Sequence, residues 1–238
     1  MTMIRLIIDK ERLGPDGGTL TLKSDEQHYL LQVHRLQVGD RLNLRDGFGG
    51  SYPAQVLPSH KLEYGERESL TQLEGTRIHL AFAPPKGRRV DLILEKGTEL
   101  GAAAMHPVYT ERTVRKLTPI KARWERVIQA AARQCDAAYL PELWQPLRFE
   151  QLLEMPFDGL RLITTPNASA RIVDLLPSQP PQRVLVLSGP EGGFTSDELA
   201  AARQAGMLEW GLGAQVLRAE TAPVVALTIL RHNLSDLG

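Results

Sequence analysis

Two nearly continuous apolar runs, Gly159–Thr164 and Arg183–Ser188 (RVLVLS), constrain the fold of this chain more than any other feature. A strand with one wet face alternates apolar and polar residues; runs like these need cover on both faces, as in a parallel sheet packed between helices. The neighbouring segments supply that cover. Arg77–Ala83 (RIHLAFA) reads as a strand, Val90–Leu100 as a helix with Val90, Ile93, Leu94 and Leu100 on one face, and Gly101 as its stop. Ala104–Tyr109 reads as a strand, and Ile120–Ala138 as a long basic amphipathic helix with Trp124, Val127, Ile128 and Ala131 inward. Ser196–Ala205 is a helix, Glu209–Leu212 a short strand and Ala222–Leu234 the closing helix. Alternation at this rhythm predicts an α/β domain with a mostly parallel sheet.

The first seventy or so residues have a different texture. Ser24 with Gln27 three residues on is a capping box, opening a segment with Leu30, Val33 and Leu36 near helical spacing. Leu42 and Leu44 alternate with polar residues, the cluster Asp46–Gly50 is a turn, and Tyr52–Leu57 is another short strand. Short strands with glycine-rich turns predict a small β-barrel. The polar stretch 58–75 marks the boundary, giving domains at 1–72 and 73–238.

Composition narrows the function classes. A single cysteine, Cys135, excludes an internal disulfide and a cysteine-rich zinc site. The N-terminal apolar core between Arg5 and Lys10 is too short for a signal peptide, and no window approaches a membrane span, so a cytoplasmic protein is expected. His28 and His34 do not share a helical face as paired ligands would, and no metal is expected. The formal charge is zero, yet residues 86–133 hold 11 Lys/Arg against 5 Asp/Glu. Such a local excess suits a phosphate-binding face.

Ligands of open parallel sheets bind beyond the carboxyl ends of the strands. Three loops fall there: 164–168, the glycine-rich 188–194 (SGPEGGF) and 212–221 (LGAQVLRAET). The second lies between an apolar strand and the helix-opening capping box Thr195-Ser196-Asp197-Glu198. It lacks the Lys-Ser/Thr of a Walker loop and is not GxGxxG, so main-chain groups offered to a neutral heterocycle fit it better than a phosphate cradle. Glycine required only by a tight β–α connection is the plainer alternative.

GPEGGF at 189–194, LGAQVLRAETA at 212–222, LEKGTELG at 94–101 and YTERT at 109–113, taken in order, resemble the ribosomal RNA small subunit methyltransferase E family of the SPOUT superfamily. HYLLQVHRLQVGD (28–40), RWERVIQAAARQ (123–134) and the closing Ser235–Gly238 extend the resemblance along the chain. It implies a PUA-like barrel, an α/β domain with a deep trefoil knot, S-adenosylmethionine as cofactor, and methylation of uridine N3 in 16S rRNA of the small ribosomal subunit by a homodimer. Carried over, the cofactor residues are Thr164, Leu187, Gly189, Pro190, Gly192, Gly193, Leu212, Gly213, Leu217, Thr221 and Ala222. Ala219 stands where the family usually has Thr, and Ala137 where it often has a basic residue.

For such a reaction Arg218 is the candidate to stabilise charge on the uracil oxygens, with Glu220 and Glu191 as alternative proton acceptors. Candidate RNA contacts are Arg5, Arg35, Lys86, Arg88, Arg89, Lys96, Arg112, Arg115 and Arg123, although Lys96 and Glu99 could instead pair on their own helix. A non-catalytic RNA-binding adaptor and a nucleotide-dependent enzyme are the competing readings. The last helix, with Thr221 as N-cap and Pro223 in its first turn, is apolar around much of its circumference, so a second protomer is expected to cover it.

Overall fold

The computed structural model describes residues 3–70, 75–113, 119–120 and 122–234. Arg115, the expected 72/73 boundary and the Ser235–Gly238 motif lie outside the described residues. Contacts divide the chain into two units, Met1–Leu73 with Ala132–Leu140, and Glu74–Ala131 with Pro141–Gly238.

The first unit is a six-stranded mixed sheet of β1 (Arg5–Ile7), β2 (Gly18–Thr21), β3 (Arg41–Arg45), β4 (Gly50–Leu57), β5 (Lys61–Tyr64) and β6 (Glu68–Ser69), with helix α1 (Ser24–Gln27) after β2. The order is β1-β3-β4-β5-β2, β6 pairing with β4; only the β1–β3 pair is parallel. Alternation explains the strands: in β5, Leu62 and Tyr64 point into a core of Leu6, Leu30, Leu42, Leu44 and Tyr52 while Lys61 and Glu63 face solvent. Two expectations need correction. The Glu26 carboxylate, not Gln27, accepts the N–H of Lys23 at 2.7 Å, so the helix begins one residue earlier than the Ser24 cap implied. Only four residues are α-helical before a π-turn at His28–Val33; Leu30 is buried, Val33 is exposed, and Arg35 adopts a positive φ of 56°.

The second unit carries a parallel sheet of seven strands: β7 (Arg77–Phe82), β8 (Ala104–Tyr109), β9 (Glu142–Leu143), β10 (Leu147–Arg148), β11 (Leu160–Thr164), β12 (Arg183–Ser188) and β13 (Leu208–Trp210). Its order is β10-β8-β7-β12-β11-β13, with β9 also on β8. The helices are α2 (Arg89–Glu99), α3 (Ala122–Cys135), α4 (Phe149–Glu154), α5 (Ile172–Leu175), α6 (Ser196–Gln204) and α7 (Thr221–Asn233). As the apolar runs required, Val184–Leu187 and Leu162–Ile163 are fully buried. The capping box at Thr195 forms: its hydroxyl accepts from Glu198 N at 3.1 Å and the Glu198 carboxylate accepts from Thr195 N at 2.9 Å.

Other boundaries shift. β13 ends at Trp210, leaving Leu212 in the loop, and α7 begins at Thr221, so Glu220 rather than Thr221 holds the N-cap position. α3 stops at Cys135 because Asp136 takes a positive φ of 56°. α7 packs on β7, β12, α2 and α5. Arg231 near its end is buried and donates to the Leu100 carbonyl at 3.1 Å and to that of Gly101, capping the end of α2. Val224, Val225 and Ile229 remain half-buried.

Two buried histidines sit mid-sheet on β7 and β8, with His79 Nδ1 and His106 Nε2 3.1 Å apart. Burial, with the nearby Arg183 guanidinium, pushes His79 down to about 4; burial, then His79 and Arg183, pushes His106 down to about 3.

Candidate functional site

The chain leaves β7 in one direction to build β8, β9 and β10, then returns to set β12 between β7 and β11. The neighbouring β7 and β12 thus hand their chains to loops diverging from a switch point, where open α/β sheets leave a crevice. β12, β11 and β13 are adjacent and parallel, so the three loops singled out from the sequence emerge side by side. At their root Thr164 Oγ1 donates to Ser188 Oγ at 3.1 Å, both residues being buried, and Thr165 N donates to the Trp210 carbonyl at 3.0 Å. Leu187 is fully buried beneath this root, and Pro190 is buried at the start of the glycine loop.

Glycine has different reasons along these loops. Gly193 has φ +66° and Gly213 φ +120°, and a Cβ on either would meet no atom within 4 Å. Both therefore combine a backbone geometry that side chains avoid with open space beside it. Gly189 packs on the Phe194 ring, 2.8 Å from a hypothetical Cβ, and Gly211 on the Ala168 carbonyl at 2.1 Å. Leu217, Thr221 and Ala222 are half-buried, as is Leu212. The amides of Thr221 and Ala222 both donate to the Arg218 carbonyl at 2.9 Å, folding the third loop into the start of α7.

The charged candidates converge more closely than the sequence implied. The loop after β7 carries Lys86, Arg88 and Arg89, all exposed. Lys86 N lies 3.4 Å from Glu191 Oε1 in the loop after β12. Arg89 lies 3.9 Å from Glu191 and 3.6 Å from Glu220 of the third loop. Lys86, Gly87, Arg88, Arg89, Leu92 and Glu220 line a surface pocket of about 550 Å³. Glu220 is buried, and its Oε2 has no hydrogen-bond partner among the described residues. Such an atom in a pocket wall calls for a donor. Arg218 is exposed and forms no side-chain hydrogen bond or ion pair among the described residues.

The remaining basic candidates divide. Arg112 Nη1 donates to the Gly192 carbonyl at 2.9 Å, and Glu111 N to Glu198 Oε1 at 2.8 Å, clasping the YTERT segment to the glycine loop. The clasp joins residues some 80 positions apart, and no local pattern announces it. Lys96 pairs with Glu95 at 2.8 Å and with Glu99 at 2.9 Å, and Arg123 pairs with Asp91. In the first unit Arg5 is committed to Asp136 at 2.5 Å, whereas Arg35 is exposed. Phe194 closes over Gly189, meets Phe149 at a tilt of 43° with centroids 5.9 Å apart, and packs on the core beneath the glycine loop, a role no sequence pattern marks.

Comparison with known proteins fits this geometry. The RNA methyltransferase domain family matches residues 72–231, and the RNA methyltransferase PUA domain family matches residues 22–63. Ribosomal RNA small subunit methyltransferase E of Synechocystis is 36% identical over 233 residues, covering 94% of this chain and 75% of the relative. Its Bacillus subtilis counterpart is 29% identical over 241 residues, covering 91% of each. A Legionella pneumophila methyltransferase solved with bound S-adenosylmethionine superposes with TM-score 0.87 at 30% identity, over 98% of both chains. A small subunit methyltransferase E from Neisseria gonorrhoeae, also bound to S-adenosylmethionine, gives 0.85 at 28% over 98% of both. With its three loops gathered at the switch point and relatives of this closeness along nearly its whole length, the chain belongs to the ribosomal RNA small subunit methyltransferase E family.

Proposed function

We propose that this protein transfers a methyl group from S-adenosylmethionine to N3 of a uridine in the 16S rRNA of the small ribosomal subunit. The observation that carries the reading is the pocket where Arg89 meets Glu191 and the buried, half-satisfied Glu220 beside the glycine loop. The relatives with bound S-adenosylmethionine support the cofactor. So does the fit: Gly193 and Gly213 face open space, and the buried Leu187 gives the loop root an apolar floor. The cofactor supplies an electrophilic methyl on sulfonium.

The protein's residues do the rest. Gly189, Pro190, Gly192, Gly193, Leu212, Gly213 and Leu217, with Thr164, Leu187, Thr221 and Ala222, hold the cofactor against main chain and apolar surface. Uridine N3 carries a proton at neutral pH, and the Glu220 carboxylate, half-satisfied among the described residues, accepts it. Glu191 shares the Arg89 charge and helps to place it. Arg218, whose side chain has no hydrogen bond or ion pair among the described residues, stabilises charge spreading onto the uracil oxygens. Aligning nucleophile, carbon and sulfur contributes several kcal/mol. Lys86 and Arg88 at the pocket mouth, with Arg35, bind phosphates.

In this reading residues 1–72 form the RNA-binding domain and 73–238 the methyltransferase domain, knotted as a deep trefoil, in a cytoplasmic homodimer joined through α7. No helix among the described residues is long and apolar enough to cross a membrane. A methyl on N3 blocks the Watson–Crick edge, so reverse transcriptase stops there. In cells lacking the gene that stop in small-subunit rRNA vanishes, and it returns on complementation. A stop unchanged by deletion refutes the assignment.

A further inference from the structure

We infer that the turn between β3 and β4, together with Tyr139, forms a base-stacking site for single-stranded RNA in the first unit. Phe48 and Tyr139 are its rings, and Lys10 its flanking cation. The inference rests on RNA being the substrate, and it concerns residues outside the proposed methyl-transfer pocket.

Phe48 is 61% exposed and Tyr139 37%, in a chain where aromatics make up only 5% of residues. Exposure does not come from a loose backbone. Asp46, itself buried, accepts the amides of Phe48 and Gly50 on Oδ1, each at 2.7 Å, and Arg67 Nε on Oδ2 at 3.3 Å. Arg67 Nη2 also donates to the Phe48 carbonyl at 3.2 Å. Gly49 N donates to the Ala138 carbonyl and Leu140 N to that of Gly47, both at 2.9 Å, with Phe48 and Tyr139 opposed in an antiparallel bridge. Gly49 has φ +79°, and a Cβ there would lie 2.2 Å from the Tyr139 hydroxyl, so only glycine lets the two segments dock. A turn anchored this firmly that still leaves a phenyl ring in water is preorganised to present it.

The electrostatics select the partner. Lys10 Nζ stands 5.3 Å from the Phe48 ring centroid, and Arg5 and Arg45 offset Asp136 at 2.5 and 3.2 Å. Arg5 and Arg45 are engaged by Asp136 and Arg67 by Asp46, so Lys10, over the Phe48 ring, is the cation this site offers a phosphate. Two rings with a lysine over one of them make a small patch beside the order of 1,000 Å² or more that a stable protein interface buries. They match the combination that holds unpaired nucleotides, a π-face for the base and a cation for the backbone.

The test uses the full chain, a short unstructured RNA oligonucleotide with a fluorescent end label, and, separately, S-adenosylmethionine titration as a control on the methyl-transfer domain. Phe48→Ala and Phe48→Leu should weaken RNA binding about 5- to 30-fold. Phe48→Trp should retain the affinity and gain an indole signal that the RNA quenches. Cofactor affinity should stay at the parental value in all three. Parental RNA affinity in both Phe48→Ala and Phe48→Leu overturns the stacking site while leaving the methyltransferase reading intact. A parent that does not bind the oligonucleotide overturns the stacking site alone, because methyl transfer is tested on small ribosomal subunits. If Phe48→Ala instead dissociates a dimer at unchanged RNA affinity, the ring packs against a second copy and the inference falls.

Discussion

The Arg89 guanidinium stands 3.6 Å from the Glu220 carboxylate, joining the first residue of α2 to the residue just before α7. The carboxylate side is 9% exposed and the guanidinium half exposed, so the pair is a buried acid held by a cation that solvent and phosphate can reach. In the proposed reading, incoming RNA meets Arg89 before it meets Glu220.

If this pair acts as a unit, its members are not additive. Glu220→Gln should lower kcat/KM by about 100-fold, the usual scale for losing a general base. Arg89→Ala should cost about tenfold in the parent and almost nothing in the Glu220→Gln background, a cycle read from single-turnover rates. Equal losses from Arg89→Ala in both backgrounds would show that the contact does not serve the proton transfer.

The glycine loops make separable predictions. Gly213→Val places a side chain at φ +120° in open space, at a backbone cost of about 1–3 kcal/mol, and obstructs the proposed cofactor surface. Calorimetry should find S-adenosylmethionine binding at least tenfold weaker in a protein that still folds. Gly211→Ala instead drives a methyl to 2.1 Å from the Ala168 carbonyl, so it should lower Tm by several degrees. Normal cofactor affinity in Gly213→Val would move the pocket elsewhere.

The His79–His106 pair predicts an acid limb of stability. Both are neutral when folded, at about 4 and about 3, while the unfolded chain takes up their protons near the ordinary 6.5. Unfolding therefore binds protons as pH falls below 6.5: their contribution is intact above that value and is lost progressively down to about 4, where His79 begins to charge in the fold. The slope of unfolding free energy against pH between 6 and 4.5 should fall by about one proton in His106→Gln. An unchanged slope would mean that the pair charges in the native state.

Half-exposed Val224, Val225 and Ile229 on α7 set the assembly prediction. Sedimentation at micromolar concentration should give about twice the 26.4 kDa chain mass, and Ile229→Asp should halve it. A parental monomer that still methylates RNA would remove the dimer from the account.

What could be read from the sequence follows from how local each signal is. The buried runs at 160–164 and 183–188 declare themselves because a strand covered on both faces has no polar alternation. Thr195 and Glu198 cap α6 through residues three apart, a spacing visible in the chain itself. By contrast, α5 has four residues and β9 two, too short for a period, and the end of α3 depends on the left-handed backbone at Asp136. Arg112 on Gly192 and Arg89 on Glu220 join residues far apart in sequence, and only the crossing of β12 between β7 and β11 brings them together. The loops after β11, β12 and β13 are legible as loops, since position after a buried strand marks them; the pairing of the charges within them is not.

The central claim is methyl transfer to uridine N3 in small-subunit rRNA. Its most direct measurement incubates the purified protein with S-adenosylmethionine labelled in the methyl group and small ribosomal subunits lacking the modification, followed by digestion of the rRNA to nucleosides. The account predicts label in a single product, N3-methyluridine, approaching one methyl per subunit and lost in Glu220→Gln. Label in any other nucleoside, or none with a protein that binds the cofactor, would contradict it.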